Sequence, residues 1–511
     1  MNTPPNAGAP AANHATPVPL TELGAALINR VGGRWLVEPG AGAIARGAAI
    51  DSREVSPGQV FFAFAGERVD GHAFVARALA NGAAAAVVTR DRAPDGNAWS
   101  GGPVLRVESS ELALVESARL VRTKLGATVV GITGSAGKTT TTRLLASVLR
   151  EVGATSASIK SHNNRLGVSL TILNARADAR FLVAEIGTSG PGEIAELADL
   201  ARPDAAVITS IGRAHLEKLG SVAGVAREKA SLFRALRDGS PAVFPAGIGV
   251  LEEELARDGT AGRLALVRVG LAGSDASGGP GELRGIEVGG SGVSFELADG
   301  ARFASPVAGV HNAMNAALAA VLARRLGGRH DAIRRGLASP ELPPMRAQVE
   351  KIAGLTLIND CYNANPESVL AALAVLADRA GGRATAAVLG DMLELGEQTD
   401  TAHDEVVRAA AARGVGRLIL IGPAMAKAGD RLAAGLGDGV GRVEIVRCPS
   451  TDDASIAEAA GRLERGWVVL VKGSRGLRLE RVRALLAERG ELSTIVTADR
   501  ARAPMVDRSH G

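Results

Sequence analysis

One ten-residue stretch constrains this chain more than any other: Gly131-Ile132-Thr133-Gly134-Ser135-Ala136-Gly137-Lys138-Thr139-Thr140. The apolar run Thr128-Val129-Val130 leads into it, and Leu144, Leu145, Val148, Leu149 and Val152 follow on one helical face. A glycine-rich turn between a strand and a helix calls for an α/β fold, a parallel sheet with helices packed on it. The same turn makes a phosphate cradle. Its glycines let successive N–H groups point inward, and the helix N-terminus adds positive potential. Lys138 supplies a mobile cation for the outer phosphates, and Thr139 offers a hydroxyl to Mg²⁺. The chain is therefore expected to bind ATP or GTP through Gly134, Ser135, Ala136, Gly137, Lys138, Thr139 and Thr140. One departure narrows the choice: the strict P-loop pattern has glycine where this chain has Ile132, so the loop is the tighter Gly-x-x-Gly-Lys-Thr version.

The 511 residues suit about three domains of ~150 residues each, and 46% hydrophobic residues can fill their cores. With 58 basic against 54 acidic residues, the balance does not describe a nucleic-acid surface. At 3% aromatics, stacking platforms for single strands are not expected either. Cys361 and Cys448, the only cysteines, cannot build a disulfide framework or a cysteine metal site, which suits a reducing cytoplasm. Residues 1–19, rich in Pro, Ala and Asn, read as a disordered tail and not a signal peptide. No apolar run is long enough to span a membrane.

Along the chain, a first block contains strand-like residues 60–64, 85–88 and 104–107 and leads through a helix at 111–125 into the P-loop. From 127 to about 344, strands and helices alternate, with buried strands ending at Glu185 and at Thr209. Such alternation implies a parallel sheet covered on both faces. Residues 260–305, glycine-rich with short β-like runs, read as a surface subdomain. A third block, from about Arg346, carries strands at 355–358, 386–389, 418–421 and 468–471 and reads as a second doubly wound unit. The expected boundaries are 1–19 tail, 20–110, 111–344, 345–490 and a loose tail at 491–511.

Ligands of open parallel sheets sit beyond the carboxyl ends of the strands. Three strand ends bring chemistry there: the P-loop, Glu185 within Ala184-Glu185-Ile186-Gly187, and His215 within Ala214-His215-Leu216-Glu217. A threonine hydroxyl, a carboxylate and an imidazole together can hold Mg²⁺ beside phosphates. A helix-capping carboxylate and a polar loop residue are the plain alternatives for Glu185 and His215; their arrival after consecutive strands favours the site. Arg227-Glu228-Lys229-Ala230 lies on a helical segment, where periodicity does not separate function from a solvated charged face. Asn359-Asp360-Cys361-Tyr362-Asn363-Ala364-Asn365-Pro366 follows the strand at 355–358 and holds the only tyrosine. Its polar residues can accept ribose hydroxyls or read an adenine edge, and an ordinary turn is the alternative.

Together these motifs resemble the Mur ligases. The likeness is carried by Thr133-Gly134-Ser135-Ala136-Gly137-Lys138-Thr139, the Glu185 and His215 strand ends, His311-Asn312-Ala313-Met314-Asn315 and Val471-Lys472-Gly473-Ser474-Arg475. Within that family, Tyr362-Asn363-Ala364-Asn365-Pro366 and Leu389-Gly390-Asp391-Met392-Leu393-Glu394-Leu395-Gly396 resemble the branch that makes the last amino-acid addition. The resemblance runs from about residue 20 to 485.

It implies three domains: an N-terminal α/β domain binding UDP, a central P-loop ATPase domain, and a C-terminal Rossmann-like domain that closes over the nucleotide. It implies an ATP-dependent ligase that phosphorylates the carboxylate of a UDP-N-acetylmuramoyl-tripeptide and hands it to D-alanyl-D-alanine, forming the pentapeptide precursor of peptidoglycan. Lys138 would contact the transferring phosphate and Thr139 a first Mg²⁺ of two, with Glu185 and His215 completing the metal sites. Lys229 matches a lysine that the family carbamoylates into a metal-bridging carboxylate. Lys138, Lys229 and His215 form the catalytic set. Asn312 would contact adenine, and Arg346 and Asp360 would reach the nucleotide from the C-terminal domain. Ser52, Arg53, Asp70 and His72 lie in motifs resembling the UDP-sugar region; Asn163 and Asn164 resemble its sugar-proximal loop, and Asn363 and Asn365 fall on the substrate side. The family commonly has Asn where this chain has Ala136, which removes one side-chain contact and keeps the backbone cradle. Partners are then small molecules, with no nucleic acid and no membrane insertion, and a cytoplasmic monomer is expected.

Two rivals differ by their signatures. The enzyme that adds the third peptide residue carries Asp-Asn-Pro-Arg, which does not occur here, and guanine readers carry Asn-Lys-x-Asp, where this chain has no Asn-Lys pair. A non-catalytic P-loop scaffold is the third reading, opposed by the reactive side chains at Glu185, His215 and Lys229.

Overall fold

The computed structural model describes residues 14–501 apart from 67–68, 160–161, 290–291 and 436–442, and of 491–501 the backbone alone. Three large sheets and a two-stranded ribbon organise these residues. The first sheet takes the spatial order Gly33–Val37, Val104–Val107, Ala85–Val88, Val60–Phe62, Ala48–Ala49 and is parallel except for its Gly33–Val37 edge. Phe61 and Phe62 point to opposite faces and are both buried, as a sheet covered on both sides requires.

The central sheet has nine strands, with Thr128–Thr133 between Phe181–Glu185 and Ala205–Ile208, all parallel. That register sets the P-loop, Glu185 and the 209–215 segment side by side along one edge. The helix Lys138–Arg150 begins with four consecutive threonines after its first lysine, poor helix formers because of their β-branching. Packing against the helices Val310–Arg325 and His330–Ala338 decides the matter, and Leu144, Leu145, Val148 and Leu149 are fully buried there.

Residues 260–305 do not form a separate subdomain. Ala265–Leu271 continues the parallel order beside Pro241–Pro245, and Glu282–Gly289, Gly292–Leu297 and Arg302–Ser305 extend the same sheet to its edge. Phe295 and Phe303 pack into the central core, so the short β-like runs of this segment serve the main sheet.

The third sheet runs Gln348–Ile352, Leu355–Asn359, Val468–Lys472, Thr385–Gly390, Arg417–Ile421, Glu444–Cys448, antiparallel only at its first pair. Part of each expected tail lies in a regular element. Pro17–Pro19 pairs antiparallel with Ile44–Arg46 as the two-stranded ribbon, and Ala15 bridges Arg176. At the other end the helix Glu480–Ala501 continues past residue 491. Residues 1–13 and 502–511 lie outside the described residues. No helix among the described residues is long and apolar enough to cross a membrane.

Candidate active site

The P-loop is held from beneath by the segment that follows Ala205–Ile208. Thr209 Oγ1 shares its proton between the carbonyls of Thr133 and Ala136. Ser210 Oγ accepts from the Ala136 N–H at 2.8 Å, and Ser135 N–H donates to Ser210 O at 3.0 Å. Ser135 Oγ in turn exchanges hydrogen bonds with the backbone of Gly212, at 3.0 and 3.1 Å. Ala136 therefore needs no side chain to stay in place; the hydroxyls below hold its backbone. Gly137, at φ 82°, starts the helix, and a Cβ there would lie 2.5 Å from Asn315 Oδ1. Sequence reasoning gave Thr209, Ser210 and Asn315 no role in the site; Thr209 carried a signal as a strand end and Asn315 as the last residue of the quoted His311–Asn315 run.

Lys138 folds back, donating to Gly134 O at 2.7 Å. Burial pushes its ammonium below the usual lysine range, Glu185 opposes that shift, and Arg346 adds to it. Thr139 is buried on the first helical turn and Thr140 is half-buried. Glu185 is 1% exposed; its Oε1 accepts from Asn163 Nδ2 at 2.8 Å, while Oε2 has no hydrogen-bond partner among the described residues. A buried carboxylate oxygen without a donor is costly, ~1–3 kcal/mol, and points to a ligand that would complete it.

Lys229 is 1% exposed, so the charged segment 227–230 is not a solvated face. Burial first, and then the positive charge of Lys138, holds its amine well below the usual lysine value. Its neighbour Glu228 is turned to a different face of the helix, accepting from Gly192 N–H at 2.7 Å and Ile194 N–H at 2.8 Å. That pair of bonds caps the helix Glu193–Ala201 and fixes the helix Val222–Arg234 that carries Lys229.

His215 sits at φ 58° before the short turn Leu216–Leu219. Its Nδ1 donates to Glu394 Oε2, which comes from the C-terminal domain. Burial lowers its proton affinity, Glu394 raises it, and Lys138 and Lys229 lower it further. Glu394 is itself aimed by a pinned loop: Asp391 accepts from Met425 N–H at 2.8 Å, Met392 N–H donates to His403 Nε2 at 2.9 Å, and Leu393 N–H donates to Ser474 Oγ at 3.0 Å.

A cavity of about 430 Å³ opens between the central and C-terminal domains, lined by Thr140, Asn312, Arg346, Pro306 and Leu342 among others. Asn312 is oriented by its bond to Ala308 O (2.8 Å) and by Asn315 (2.9 Å), which connects the cavity to the P-loop. Arg346 lies over the Tyr362 ring, 4.0 Å from its centroid, and Arg475 approaches the same ring at 5.7 Å.

Several expected contacts turn inward instead. Asp360 accepts from Ala347 N–H (3.0 Å) and from the buried Lys472 (2.6 Å), so its carboxylate braces the interdomain turn that carries Arg346. Asn365 caps the helix Pro366–Ala380 and donates to Ser135 O at 3.3 Å. Asn164 caps the helix Arg165–Leu173, and Asn163 is spent on Glu185. Asn363 remains exposed. In the N-terminal domain His72 is fully enclosed: Nδ1 donates to Asp70 at 2.6 Å and Nε2 accepts from Thr89 N–H at 3.0 Å, so it offers no atom to a sugar. Asp70 also meets Arg90 at 2.8 Å. Ser52 is buried, whereas Arg53 is exposed and its guanidinium holds the Asp51 carboxyl down to about 2.

Comparison with known proteins agrees with this layout. Residues 45–119 match the Mur ligase family catalytic domain, 132–323 the Mur ligase middle domain, and 345–475 the Mur ligase glutamate ligase domain. The UDP-N-acetylmuramoyl-tripeptide–D-alanyl-D-alanine ligase of Escherichia coli is 34% identical over 446 residues, covering 86% of this chain and 93% of that one. The ligase of the same name from Bacillus subtilis is 31% identical, covering 86% and 92%. A crystal structure of MurF from Acinetobacter baumannii superposes with a TM-score of 0.76 at 28% identity over 93% of this chain and 100% of that one. MurF ligase from Thermotoga maritima, solved with ADP, gives 0.70 at 29% identity over 88% and 99%. The chain belongs to the Mur ligase family, in which it groups with the MurF ligases.

Proposed function

We propose that this chain is an ATP-dependent ligase that joins D-alanyl-D-alanine to UDP-N-acetylmuramoyl-tripeptide. One observation carries the reading: the chain is collinear with 93% of the Escherichia coli ligase of that name. The site geometry supports it, since Lys138, Glu185, Lys229 and His215 gather at one sheet edge beside the P-loop. A free carboxylate is a poor electrophile, because its charge is delocalised and oxide is a bad leaving group. Its oxygen attacks the γ-phosphorus, the bond to ADP breaks, and an acyl phosphate forms. The neutral amine of D-alanyl-D-alanine then attacks the acyl carbon, and phosphate leaves from the tetrahedral intermediate. Lys138, released from Gly134 O, neutralises charge on the transferring phosphoryl group.

The donor set fits Mg²⁺. Among the described residues no three His, Cys, Asp or Glu cluster to hold a metal unaided, and Mg²⁺ characteristically takes one or two carboxylates plus substrate phosphates. Glu185, with its unpartnered oxygen, would hold it together with Thr139, His215 through its remaining nitrogen, and a carbamate on Lys229. Bound there, it would offset the charge of phosphates and carboxylate brought together. A buried amine with lowered proton affinity is the form that carbamoylation by CO₂ needs. Adenine would occupy the 430 Å³ cavity against Asn312 and Arg346. The buried thiols suit a cytoplasmic setting, and we propose a monomer, since the groups named above come from one chain.

The test is phosphate release by pure protein with ATP and Mg²⁺. UDP-N-acetylmuramoyl-tripeptide, with lysine or diaminopimelate third, and D-alanyl-D-alanine are offered separately and together, with the dipeptide precursor as control. Sustained release with ligated product is expected only with both substrates. Turnover on the dipeptide, or none with both substrates present, refutes the proposal.

A further inference from the structure

The segment that underlies the P-loop is gripped on its other side as well. Arg213 donates from Nε to Glu367 Oε1 at 2.9 Å and from Nη1 and Nη2 to both oxygens of Glu405, at 2.6 and 3.2 Å. Glu367 lies on the helix Pro366–Ala380 and Glu405 on the helix Thr399–Ala412, so two C-terminal helices hang on one central-domain side chain. The Arg213 side chain is only 22% exposed, and its bonds to Glu405 raise its proton affinity, opposed by burial and aided by Glu367. At this contact the Glu367 side chain lies against the Gly212 backbone: a Cβ on Gly212 would lie 3.0 Å from the Glu367 carboxyl carbon. One residue away from Arg213 on the P-loop side, Gly212 exchanges hydrogen bonds with Ser135, and Ser135 O receives Asn365 from the same C-terminal helix. Arg213, Glu367 and Glu405 take no part in the chemistry described above.

We infer that Arg213 is a positioning residue that clamps the C-terminal domain onto the P-loop, and so keeps water from the acyl phosphate until the amine arrives. The inference rests on the ligase reading. An acyl phosphate that meets water is lost as phosphate without a peptide bond, so a loosened clamp uncouples the two products. A bidentate, partly buried charge pair holds its register where an exposed pair would not, and its loss shifts docking on the order of tenfold.

The experiment measures phosphate and ligated product in the same reaction, and the radius of gyration by small-angle scattering with ADP bound. Wild type should release about one phosphate per bond formed, as coupled transfer requires. Arg213→Met should release a severalfold excess and scatter as a larger particle, and Arg213→Lys should fall between. The reciprocal pair Arg213→Glu with Glu405→Arg should bring both readouts back toward wild type, which a merely structural role would not. Unchanged ratio and radius in Arg213→Met overturn the clamp, as does a reciprocal pair no better than Arg213→Glu alone. If wild type itself makes no product, the ligase reading fails, while the scattering difference still judges the clamp.

Discussion

Replacing Gly134 with alanine tests how the P-loop is supported. Gly134 has φ 153°, and a Cβ there would lie 1.9 Å from Thr209 Oγ1 and 3.0 Å from the Ser210 nitrogen. Thr209 cannot swing aside without loss, because its hydroxyl serves the carbonyls of Thr133 and Ala136. Giving up that bond costs ~1 kcal/mol, and forcing alanine toward this backbone region costs ~1–3 kcal/mol more. The unliganded loop is expected to relax and avoid most of this, which places the cost on the phosphate-binding conformation. A total of ~2–4 kcal/mol weakens ADP by roughly 30- to 1000-fold at ~1.4 kcal/mol per factor of ten. Titration calorimetry with ADP reads the loss, and a thermal scan without nucleotide should show a much smaller change. Thr209→Ala removes the closest atom and leaves a Cβ at 3.1 Å, so Gly134→Ala should cost about 1 kcal/mol less in that background. Affinity within twofold of wild type, or strict additivity of the two substitutions, would show that the clash is not what requires glycine.

Glu228→Ala strips the buried Ile194 amide and the more exposed Gly192 amide of their acceptor, and at ~1–3 kcal/mol should lower the melting temperature by about 3–8 °C in a thermal scan. Burial pushes the Cys361 thiol up to about 12, so in the folded protein at pH 8 its alkylation should run about a thousandfold slower than in denaturant, read by mass spectrometry. Lys138→Ala should abolish phosphate release with an unchanged melting profile; near-normal turnover refutes its role. Lys229→Ala should lose activity that bicarbonate does not restore, and normal turnover would end the carbamate proposal. Because Lys229 holds its proton less tightly folded than unfolded, the unfolded state binds more protons between the lowered value and 10.5, and stability gains with pH across that window. Lys229→Met should remove part of that gain, measured as urea midpoints at pH 7 and pH 9.

What could be read in advance was what is contiguous or periodic. The P-loop announces itself because backbone N–H groups bind phosphate, and the glycines that permit this are adjacent in the chain. Glu185 and His215 were legible as strand ends, since the parallel order around Thr128–Thr133 aligns those ends along one edge. The contacts that a sequence does not show act across register: Thr209 serves Ala136 from 73 positions away, and Glu394 meets His215 from 179. Polarity at a strand end also proved ambiguous in one direction. Asp360 and Asn365 looked like ligands for a nucleotide or substrate, yet one braces Lys472 and the other caps a helix and touches the P-loop. Both remain where a closing domain must be rigid, which a single sequence records only as a polar turn. The same reasoning separates Glu228 from Lys229: neighbours on one helix, one ties that helix to the Glu193–Ala201 helix while the other is a buried amine of lowered proton affinity beside Lys138. A helical wheel places the two about 100° apart, and only the position of the Glu193–Ala201 helix decides which of them does chemistry.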